Sequence, residues 1–342
     1  MQRSIDQKQH FEGKKVLITG GAGFIGSTLG IRLAALGAQV TAIDSLIPEY
    51  GGNLRNLAGH ASEITLNIAD VRDQHGLNFL VRDHDYLFNL AGQTSHLDSM
   101  TDPFTDLEIN CHSQLKILEA CRQNNPKIRI VYASTRQIYG RPQYLPVDEK
   151  HPLNPVDVNG INKLAGEMYH LLYAQVYQMS ACALRLTNTY GPRMRVKDTR
   201  QTFLGIWIRN LIQQEPLQVY GDGQQLRDFN YVDDVVEALL LAATHHGLQG
   251  RAYNLGGGEV ISLEALAQLA IKISGTGKMK KIPFPPERKA IDIGDYYANY
   301  DAFKQLTGWS PQVNLKTGLQ ATLEYFRAQG RYYWDEELAS GS

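Results

Sequence analysis

The sequence predicts an α/β fold in which a doubly wound parallel β-sheet is joined to a smaller C-terminal lobe. Three observations lead to this prediction. Short apolar segments rich in β-branched residues alternate with segments of helical periodicity up to about residue 190. The first apolar segment runs into the glycine-rich stretch TGGAGFIG (19–26), which opens a helical segment. After residue 190 the regular alternation ends, and a basic stretch with few glycines follows.

Strands are expected wherever a short apolar run has the length and composition of a strand buried on both faces of a sheet. They are predicted at 14–20, 38–44, 63–70, 85–92, 128–134 and 180–188. Helices are predicted at 24–36, near 104–124 and at 160–178, with a polar helix between the third and fourth strands. Residues 1–12 are predicted to be a loosely held tail.

The C-terminal part is expected to form a lobe that closes over the sheet and binds the substrate. Helices are predicted at 203–214 and 231–246, whereas residues 276–300, rich in lysine, proline and tyrosine, are predicted to be irregular. The expected division is a nucleotide-binding domain at 1–190 and a smaller substrate-binding lobe at 191–342. Residues 225–255 are expected to return to the first domain.

The composition argues against several classes of protein. A chain of 342 residues with 43% hydrophobic and 20% charged residues is typical of a soluble globular protein. The formal net charge of −1 predicts no basic face for nucleic acid, and no apolar run approaches the ~20 residues of a membrane span. The N-terminus lacks the apolar core of a signal peptide, so none is expected. Three cysteines without paired spacing predict reduced thiols in a cytoplasmic protein, with neither a disulfide framework nor a metal site.

The glycine-rich stretch predicts a dinucleotide-binding turn of the Rossmann type. Gly20 permits the tight turn, Gly23 lets the backbone approach a pyrophosphate, and Gly26 allows the helix to pack closely on the strand. The helix that follows, with Phe24 and Ile25 in its first turn, directs free N–H groups toward the phosphates. A glycine-rich turn without a ligand is the alternative, and the second strand argues against it.

Acidic residues at the ends of the next strands favour NAD as the cofactor. Asp44 ends the second strand, and its carboxylate can accept hydrogen bonds from both hydroxyls of an adenosine ribose. It would repel a 2′-phosphate, so NADP is disfavoured. Asp70 and Val71, at the end of the third strand, are predicted to flank the adenine, although aspartate at a strand end often only caps a helix. A solvated turn aspartate is the alternative for Asp44.

Several further motifs follow in a fixed order. TGGAGFIG, NLAGQ, YASTRQIYG, a helix with Lys163, RLTNTYGPR and GDGQQLRDFNYVDD occur in the order found in the extended short-chain dehydrogenase/reductases, which the chain resembles over residues 14–327. The most similar branch is the group of NAD-dependent nucleotide-sugar epimerases and dehydratases. The resemblance implies that NAD and a nucleotide-diphosphate sugar bind, with Leu90, Ala91 and Gly92 along the cofactor.

The same resemblance implies a homodimer, because in the family the helices near 104–124 and at 160–178 pair with their copies. Both predicted helices carry apolar residues at helical spacing. These residues are Leu107, Ile109, Leu115 and Leu118 on the first helix and Leu164, Met168, Leu171 and Leu172 on the second.

The catalytic residues that the family uses are only partly present. The resemblance implies that Thr135 is the serine or threonine of the active site and that Lys163 binds the nicotinamide ribose. Asn159 stands at the position of the tyrosine that takes the proton from the sugar hydroxyl. An amide has no useful ionisation and can only donate or accept hydrogen bonds. Another group must therefore carry the proton if the chemistry is kept.

Four side chains are candidates for this proton carrier: Thr135, His96, Tyr139 and Tyr190. His96 follows NLAGQTS, a loop that in the family lies along the nicotinamide and the substrate, and histidine titrates near neutral pH. A surface histidine is the equally weighted alternative. Tyr139, in the IYG turn, is better explained as a structural residue.

The residues after Thr135 help to choose between reactions. Arg136 and Gln137 stand where the related dehydratases carry an Asp–Glu pair, and the decarboxylases usually carry Glu at the second of these positions. Epimerisation through a transient keto-sugar needs no such acid and is therefore favoured. Dehydration or decarboxylation by other groups remains an alternative. A second alternative is a catalytically silent protein that binds NAD or a nucleotide sugar. Asn159 favours this interpretation, and the retained Lys163 opposes it.

The substrate side of the family pattern is also partly kept. The resemblance implies that Asn188 contacts the nucleotide diphosphate and Arg227 its pyrophosphate, where a fork of donors suits phosphate oxygens. Asp292 stands where the family usually has an arginine. Arg200 and the other charges of the basic stretch 193–200, or Arg288 with Lys289, are candidates to compensate. A solvated charge run is the alternative.

Overall fold

We describe a computed structural model of the chain over residues 2–47, 49–50, 52–198 and 202–335. Its strands are β1 (Lys15–Thr19), β2 (Gln39–Asp44), β3 (Ile64–Ile68), β4 (Tyr86–Asn89), β5 (Arg129–Thr135), β6 (Ser180–Leu186), β7 (Asn188–Tyr190), β8 (Leu217–Tyr220), β9 (Leu226–Tyr231), β10 (Ala252–Asn254), β11 (Val260–Ser262) and β12 (Met279–Ile282). Its helices are α1 (Gln2–Phe11), α2 (Phe24–Ala35), α3 (Gln74–Leu80), α4 (His96–Thr101), α5 (Pro103–Leu107), α6 (Ser113–Asn124), α7 (Val158–Tyr177), α8 (Phe203–Gln213), α9 (Val232–Thr244), α10 (Leu263–Ser274), α11 (Pro286–Ala290), α12 (Asp301–Thr307), α13 (Leu315–Gln329) and α14 (Arg331–Trp334).

The main sheet has seven parallel strands in the order β10-β6-β5-β4-β1-β2-β3. Strand order reverses between β1 and β4, since β2 and β3 lie on one side of this pair and β5, β6 and β10 on the other. Such a switch point opens a crevice at the carboxyl ends of the strands, where ligands of doubly wound sheets bind. The predicted parallel α/β sheet is therefore confirmed.

The C-terminal part adds a three-stranded sheet, β11-β9-β7, and a parallel pair, β12-β8. Strand β10, from the segment 225–255, pairs with β6 in the main sheet. The largest hydrophobic cluster contains residues from both sides of position 190, such as Val16, Leu184, Leu204 and Leu319. The division into two lobes stays a prediction, because one continuous core joins the parts. No helix in the described ranges is both long enough and apolar enough to cross a bilayer.

The N-terminal segment differs from the prediction of a loose tail. Residues Gln2–Phe11 form α1. Phe11 is fully buried and packs against Tyr86, with 5.1 Å between ring centroids. The Gln7 amide donates a hydrogen bond of 2.7 Å to Glu237. Both partners lie far away in sequence, so the local pattern did not reveal them.

Two other predicted segments also differ in the structure. The helix expected near 104–124 is divided into α5, a π-helical turn at Glu108–His112, and α6. The extra residue of a π-turn changes the direction of the side chains that follow it, and such turns are frequent at functional sites. The segment 276–300 is not wholly irregular, because it contains β12 and α11.

Candidate active site

A cavity lies at the switch point of the main sheet, against the carboxyl ends of β1, β2, β4, β5 and β6. It brings together every residue predicted to bind the cofactor, namely Gly20, Gly23, Phe24, Ile25, Gly26, Asp44, Asp70, Val71, Leu90, Ala91, Gly92 and Lys163. The predicted catalytic residues Thr135, Asn159 and His96 line the same cavity, as does Asn188. The structure thus places these side chains around one space, and their individual roles stay predictions.

A second cavity adjoins the first and extends toward α8, β8 and α11. Arg227 lines this second cavity. Arg200 lies outside the described residues. Four residues line both cavities and mark their junction: His96, Arg136, Asn188 and Thr202. A ligand that reaches from one cavity into the other passes these four side chains.

The glycine-rich turn fits a dinucleotide. Gly20 has φ +70°, and a Cβ there would lie 3.0 Å from the Ala91 nitrogen. A Cβ on Gly26 would overlap the carbonyl oxygen of Gly20. No side chain caps the N-terminus of α2, so its first N–H groups are available to an anion such as a pyrophosphate.

The Asp44 carboxylate is already held by the loop around it. Its Oδ2 accepts a hydrogen bond of 3.0 Å from the Ala22 N–H, and its Oδ1 accepts one of 2.9 Å from the Leu46 N–H. Burial raises the pKa of Asp44, while these backbone N–H groups oppose the increase. Each carboxylate oxygen keeps a second lone pair. The group can therefore still accept hydrogen bonds from ribose hydroxyls.

Asp70 is engaged differently from Asp44. Its carboxylate receives hydrogen bonds of 2.6 and 3.0 Å from the Arg72 guanidinium, and these hydrogen bonds lower its pKa most. The Arg72 N–H adds a bond of 2.8 Å. The side chain of Asp70 is thus largely satisfied within the protein, so a contact with adenine would rest on its backbone and on the apolar Val71.

Lys163 projects from α7 toward the end of β5. Its ammonium donates a hydrogen bond of 2.6 Å to the Ala133 carbonyl oxygen and lies 4.4 Å from the centre of the Tyr132 ring. Removal from water lowers the pKa of Lys163 to about 8, although the carboxylates of Asp106 and Glu167 oppose this change. The lysine is therefore cationic near neutral pH, but less strongly so than an exposed lysine.

Only 3% of the surface of Asn159 is exposed. Its amide nitrogen faces the protein interior. Nδ2 lies 2.9 Å from Asp106 Oδ2, 2.8 Å from the Gln93 carbonyl oxygen and 3.2 Å from Gln93 Oε1. All three neighbours are acceptors, which fixes the orientation of the amide. Asn159 therefore holds the loop at Gln93 to α5 and does not replace the tyrosine as an acid or base.

The Asp106 carboxylate is the centre of this network. It is fully buried. Its Oδ2 also accepts a hydrogen bond of 3.0 Å from Asn110, which lies in the π-helical turn, and its Oδ1 accepts one of 2.8 Å from Asn162. The amides of Asn110, Asn159 and Asn162 thus surround the buried Asp106 carboxylate. These hydrogen bonds connect α5, the π-helical turn and α7.

A titratable pair stands at the junction of the cavities. Nδ1 of His96 lies 2.9 Å from Oδ2 of Asp157, within the distance of an ion pair. The angle between the two groups is not that of a hydrogen bond. Asp157 also caps α7 through a bond of 2.6 Å from the Gly160 N–H, and it accepts a bond of 2.8 Å from the Gln137 amide. Burial raises the pKa of Asp157, but His96 and these donors outweigh burial, so its pKa lies below the ordinary value.

The two tyrosine candidates lie away from both cavities. Tyr139 is fully buried, and its hydroxyl donates a hydrogen bond of 2.7 Å to Asn254 and accepts one of 2.5 Å from Arg185. Tyr190 is also buried. Burial raises the pKa of both phenols. Neither side chain can therefore exchange a proton with a ligand in the cavities.

Arg136 and Arg227 are the arginines closest to the junction and differ in their partners. Arg227 donates to the carbonyl oxygens of Leu226 and Gly294 and lies 3.6 Å from Asp292. Burial and, second to it, the charge of Arg136 lower the pKa of Arg227 to about 10. Arg136 donates one hydrogen bond of 3.1 Å, from Nη2 to Asn188 Oδ1, whereas its Nη1 is buried without a partner among the described residues.

Comparison with known proteins identifies the family. A sequence model of the NAD-dependent epimerase/dehydratase family matches residues 16–256. The chain belongs to this family. A putative UDP-glucose 4-epimerase of Methanocaldococcus jannaschii is 32% identical over 319 residues, which make up 92% of this chain and 99% of that protein. The predicted family, its fold and its dependence on NAD are thereby confirmed.

Two solved structures of the family are similar over nearly the whole chain. The UDP-glucose 4-epimerase of Thermotoga maritima, solved with UDP-glucose, has a TM-score of 0.85 at 30% identity and covers 92% of this chain and 99% of its own. The UDP-glucose 4-epimerase of Thermus thermophilus, in complex with NAD, has a TM-score of 0.82 at 30% identity with the same coverage.

The sequence analysis missed three site residues of this family member. Asp157 could have been found, because an aspartate just before a predicted helix is a typical N-cap. Gln93 and Asp106 meet Asn159 only in three dimensions. Asp106 carried no local signal, since an aspartate in the first turns of a helix is most often exposed and stabilises the helix dipole.

Proposed function

We propose that the protein is an NAD-dependent epimerase of a nucleotide-diphosphate sugar and acts through a transient keto-sugar. The junction of the two cavities carries this proposal. It provides one place where a sugar lies beside the cofactor cavity and next to His96, while the nucleotide extends into the second cavity. The names of the similar proteins, which include UDP-glucose 4-epimerases, support the same reaction.

The chain supplies a proton carrier and groups that orient the sugar. The residues of the first cavity would hold NAD, which would supply a reversible hydride acceptor for the sugar. His96 receives the hydroxyl proton, and the Asp157 carboxylate lies 2.9 Å from its Nδ1. Thr135 hydrogen-bonds the reacting hydroxyl. Lys163 holds the nicotinamide ribose and adds positive charge that favours the departure of the proton.

Elimination and decarboxylation are less well supported than epimerisation. Gln137 provides an amide where an acid would be needed, and that amide is already donated to Asp157. Arg136, the preceding residue, is a cation. The catalytically silent alternative is opposed by the His96–Asp157 pair, because a binding protein has no need for a titratable pair where cofactor and sugar meet.

A panel of nucleotide sugars tests the proposal. The purified protein is incubated with UDP-glucose, UDP-galactose, UDP-N-acetylglucosamine, UDP-glucuronate and dTDP-glucose, and the products are read by NMR and mass spectrometry. An isomer of unchanged mass supports epimerisation. Loss of water or of carbon dioxide instead indicates a dehydratase or decarboxylase, and no conversion of any of them contradicts the proposal.

We also propose that the protein is a cytoplasmic homodimer. Its three cysteines are free thiols, as a reducing compartment requires. On the outer faces of α5 and α7, apolar side chains are exposed, including Phe104 (77%), Met168 (59%) and Leu172 (48%). Ile109 and Leu118, predicted to be part of the contact, are instead buried within the subunit. A dimer through the exposed residues would bury this apolar surface.

A further inference from the structure

We propose that Arg136 binds a carboxylate on the sugar, so that the preferred substrate is a nucleotide-diphosphate sugar whose sugar ring is acidic. The inference rests on the proposed binding of a nucleotide sugar across the two cavities. It goes further, because it selects one chemical class of sugar and assigns its recognition to one side chain.

The first argument is the missing counter-charge. Among the described residues no carboxylate lies within the 4.0 Å of an ion pair with Arg136, and its Nη1 is buried without a hydrogen bond. Its other contacts are the Asn188 amide oxygen at 3.1 Å and the face of the Tyr296 ring, whose centre lies 5.1 Å away. Neither of these partners carries a charge.

The two nearest acidic groups are committed elsewhere. Asp228 accepts hydrogen bonds from the Thr187 hydroxyl at 2.5 Å and from the N–H groups of Gly257 and Ala298 at 3.0 and 3.1 Å. Asp292 accepts a bond of 2.7 Å from the Gln225 amide. They attract Arg136 only from a distance, and burial lowers its pKa despite them.

A cation that is largely removed from water and has no counter-charge destabilises the ligand-free protein. Removing a charged group from water is strongly unfavourable unless another charge or enough hydrogen bonds replace the water. Arg227 is also close enough that Arg136 lowers its pKa, so the two guanidinium groups repel each other. An anion that arrives with a ligand would relieve both penalties at once.

The position of Arg136 indicates which part of the ligand carries this anion. Arg136 follows Thr135 directly and lines both cavities, whereas Arg227 and Arg288 line the second cavity. Hydride transfer requires the reacting carbon of the sugar to touch the nicotinamide, so the sugar itself must occupy the junction. The diphosphate, which is attached to the sugar through the anomeric oxygen, then lies toward Arg227.

The donors of Arg136 suit a carboxylate. Nη1 has two N–H groups without a described partner, and Nη2 has one left after its bond to Asn188. Two parallel N–H donors match the two oxygens of a carboxylate. A neutral hydroxymethyl group in the same place would leave the cation unpaired.

Binding of matched ligand pairs to the NAD-loaded protein tests the inference. The pairs are UDP-glucose with UDP-glucuronate, which differ by a carboxylate at C5, and UDP-N-acetylglucosamine with UDP-N-acetylmuramic acid, which differ by one on the O3 substituent. In at least one pair the acidic ligand should bind about ten- to hundred-fold more tightly by calorimetry, as expected for charge-assisted hydrogen bonds. The affinity for UDP, which has no sugar, measures the contribution of the nucleotide diphosphate.

Three variants distinguish binding of the sugar carboxylate from binding of the diphosphate. Arg136→Gln should abolish the preference for the acidic ligand and leave UDP affinity within about two-fold, since the diphosphate lies toward Arg227 in the second cavity. Arg136→Lys, which keeps the charge but loses the fork, should retain part of the preference. Arg288→Gln removes an arginine from the second cavity and should affect both members of each pair equally. The ligand-free Arg136→Gln protein should melt at a temperature no lower than the parent, which shows that it folds.

Two results would overturn the inference. Equal affinity within both pairs for the parent protein would show that no carboxylate is recognised. Equal weakening of UDP and of the acidic sugars by Arg136→Gln would show that Arg136 binds the diphosphate. The readout is independent of turnover, so it distinguishes this inference from the proposed epimerisation. A preference for acidic ligands without any conversion would contradict the epimerase proposal alone.

Discussion

Oδ2 of Asp157 lies 2.9 Å from Nδ1 of His96, at the place where the cofactor cavity meets the second cavity. Asp157 is held there from two sides, because it caps α7 and accepts the Gln137 amide. A fixed carboxylate therefore contacts one nitrogen of the imidazole, and we expect the ring, which lines both cavities, to exchange a proton with a ligand. This arrangement places an ionisable group close to the position from which the family tyrosine is missing.

The first prediction concerns this pair. His96→Gln should lower turnover of the true substrate by about 10²–10⁴, the usual contribution of general acid–base catalysis, and leave bound NAD in place. Asp157→Asn should lower turnover less, because the imidazole remains. Steady-state kinetics and release of NAD on denaturation provide the measurements. His60→Gln is the matched control, since His60 makes a similar contact of 2.7 Å with Glu63 on the surface. Unchanged turnover in His96→Gln would assign the proton transfer to another group.

The second prediction concerns Asn159. Asn159→Ala leaves the buried Asp106 carboxylate with one donor fewer, which should lower the free energy of unfolding by about 1–3 kcal/mol. Turnover should fall moderately, because the loop at Gln93 loses its anchor to α7. Asn162→Ala is the control: it also removes a donor from Asp106, at 2.8 Å, but Asn162 does not line the cavities. Urea unfolding and kinetics are measured together. A large loss of turnover without any loss of stability would instead indicate direct participation of Asn159 in the chemistry.

The third prediction follows from the pKa of Lys163, which burial lowers from 10.5 to about 8. Between these two values the unfolded chain binds more protons at this site than the folded chain. The free energy of unfolding should therefore rise with pH from about 8 to 10.5 on account of this group, and the cost is fully present below about pH 8. The cost is at most about 3.5 kcal/mol, at about 1.4 kcal/mol per pKa unit.

Lys163→Met should remove that cost. The NAD-stripped variant should be more stable than the NAD-stripped parent at pH 7, and the difference should shrink as the pH rises to 10. Urea unfolding at several pH values checks this, while loss of NAD binding in the variant reports on the ribose contact. A difference in stability that does not change with pH would show that Lys163 keeps an ordinary pKa in the folded protein.

The fourth prediction concerns the cofactor. The purified protein should contain NAD and no NADP, because Asp44 would repel a 2′-phosphate. Asp44→Ala should weaken retention of NAD, as assayed after denaturation. Asp70→Ala should weaken it less, since the Asp70 carboxylate is already bound by Arg72. Recovery of NADP from the parent protein would overturn the role given to Asp44.

The fifth prediction concerns the dimer. Met168→Glu combined with Leu172→Glu should give a monomer by light scattering at micromolar concentration, because two charges would be buried in an apolar contact. Phe79→Glu is the control, since Phe79 is 72% exposed on a different helix, α3. The parent protein should be dimeric. A monomeric parent, or a dimeric double variant, would argue against this surface as the contact.

The fold was accessible from sequence because its main signals are local. Strands β1, β4 and β6 are dominated by apolar residues, whereas β2 and β3 mix apolar with polar residues, and the observed ends lie close to the predicted ones. Two elements that the sequence did not predict, α1 and the π-helical turn, both depend on contacts between residues distant in the chain. Phe11 fixes α1 through Tyr86, and the π-turn at Glu108–His112 supports contacts of Asn110 with residues of other elements. Such partners are distant in the chain, so no short pattern contains them.

In the candidate site, too, the residues set by local sequence were predictable and those set by contacts between distant elements were not. The glycine turn and Asp44 follow from one strand–turn–helix–strand unit, so sequence spacing predicts them. His96 was identified as a candidate only through its loop, and its carboxylate partner sits on a different element. The orientation of Asn159 could not be foreseen, because it depends on Gln93 and Asp106. Nor does any sequence pattern tell that the Nη1 of Arg136 lacks a partner.

The buried carboxylate of Asp106 also limits the order in which this site can change by mutation. A tyrosine at position 159 brings no amide, and its hydroxyl lies much further from the backbone than the Asn159 Nδ2 that now contacts Asp106. Restoring the family tyrosine alone would therefore leave the buried Asp106 carboxylate with two amide donors, Asn110 and Asn162, instead of three. The substitution becomes tolerable once position 106 is neutral, and a neutral residue at 106 in turn removes one of the charges that keep Lys163 protonated. We therefore expect substitutions at positions 106, 159 and 163 to be epistatic, with a return to the family tyrosine costing less stability when Asp106 is replaced first.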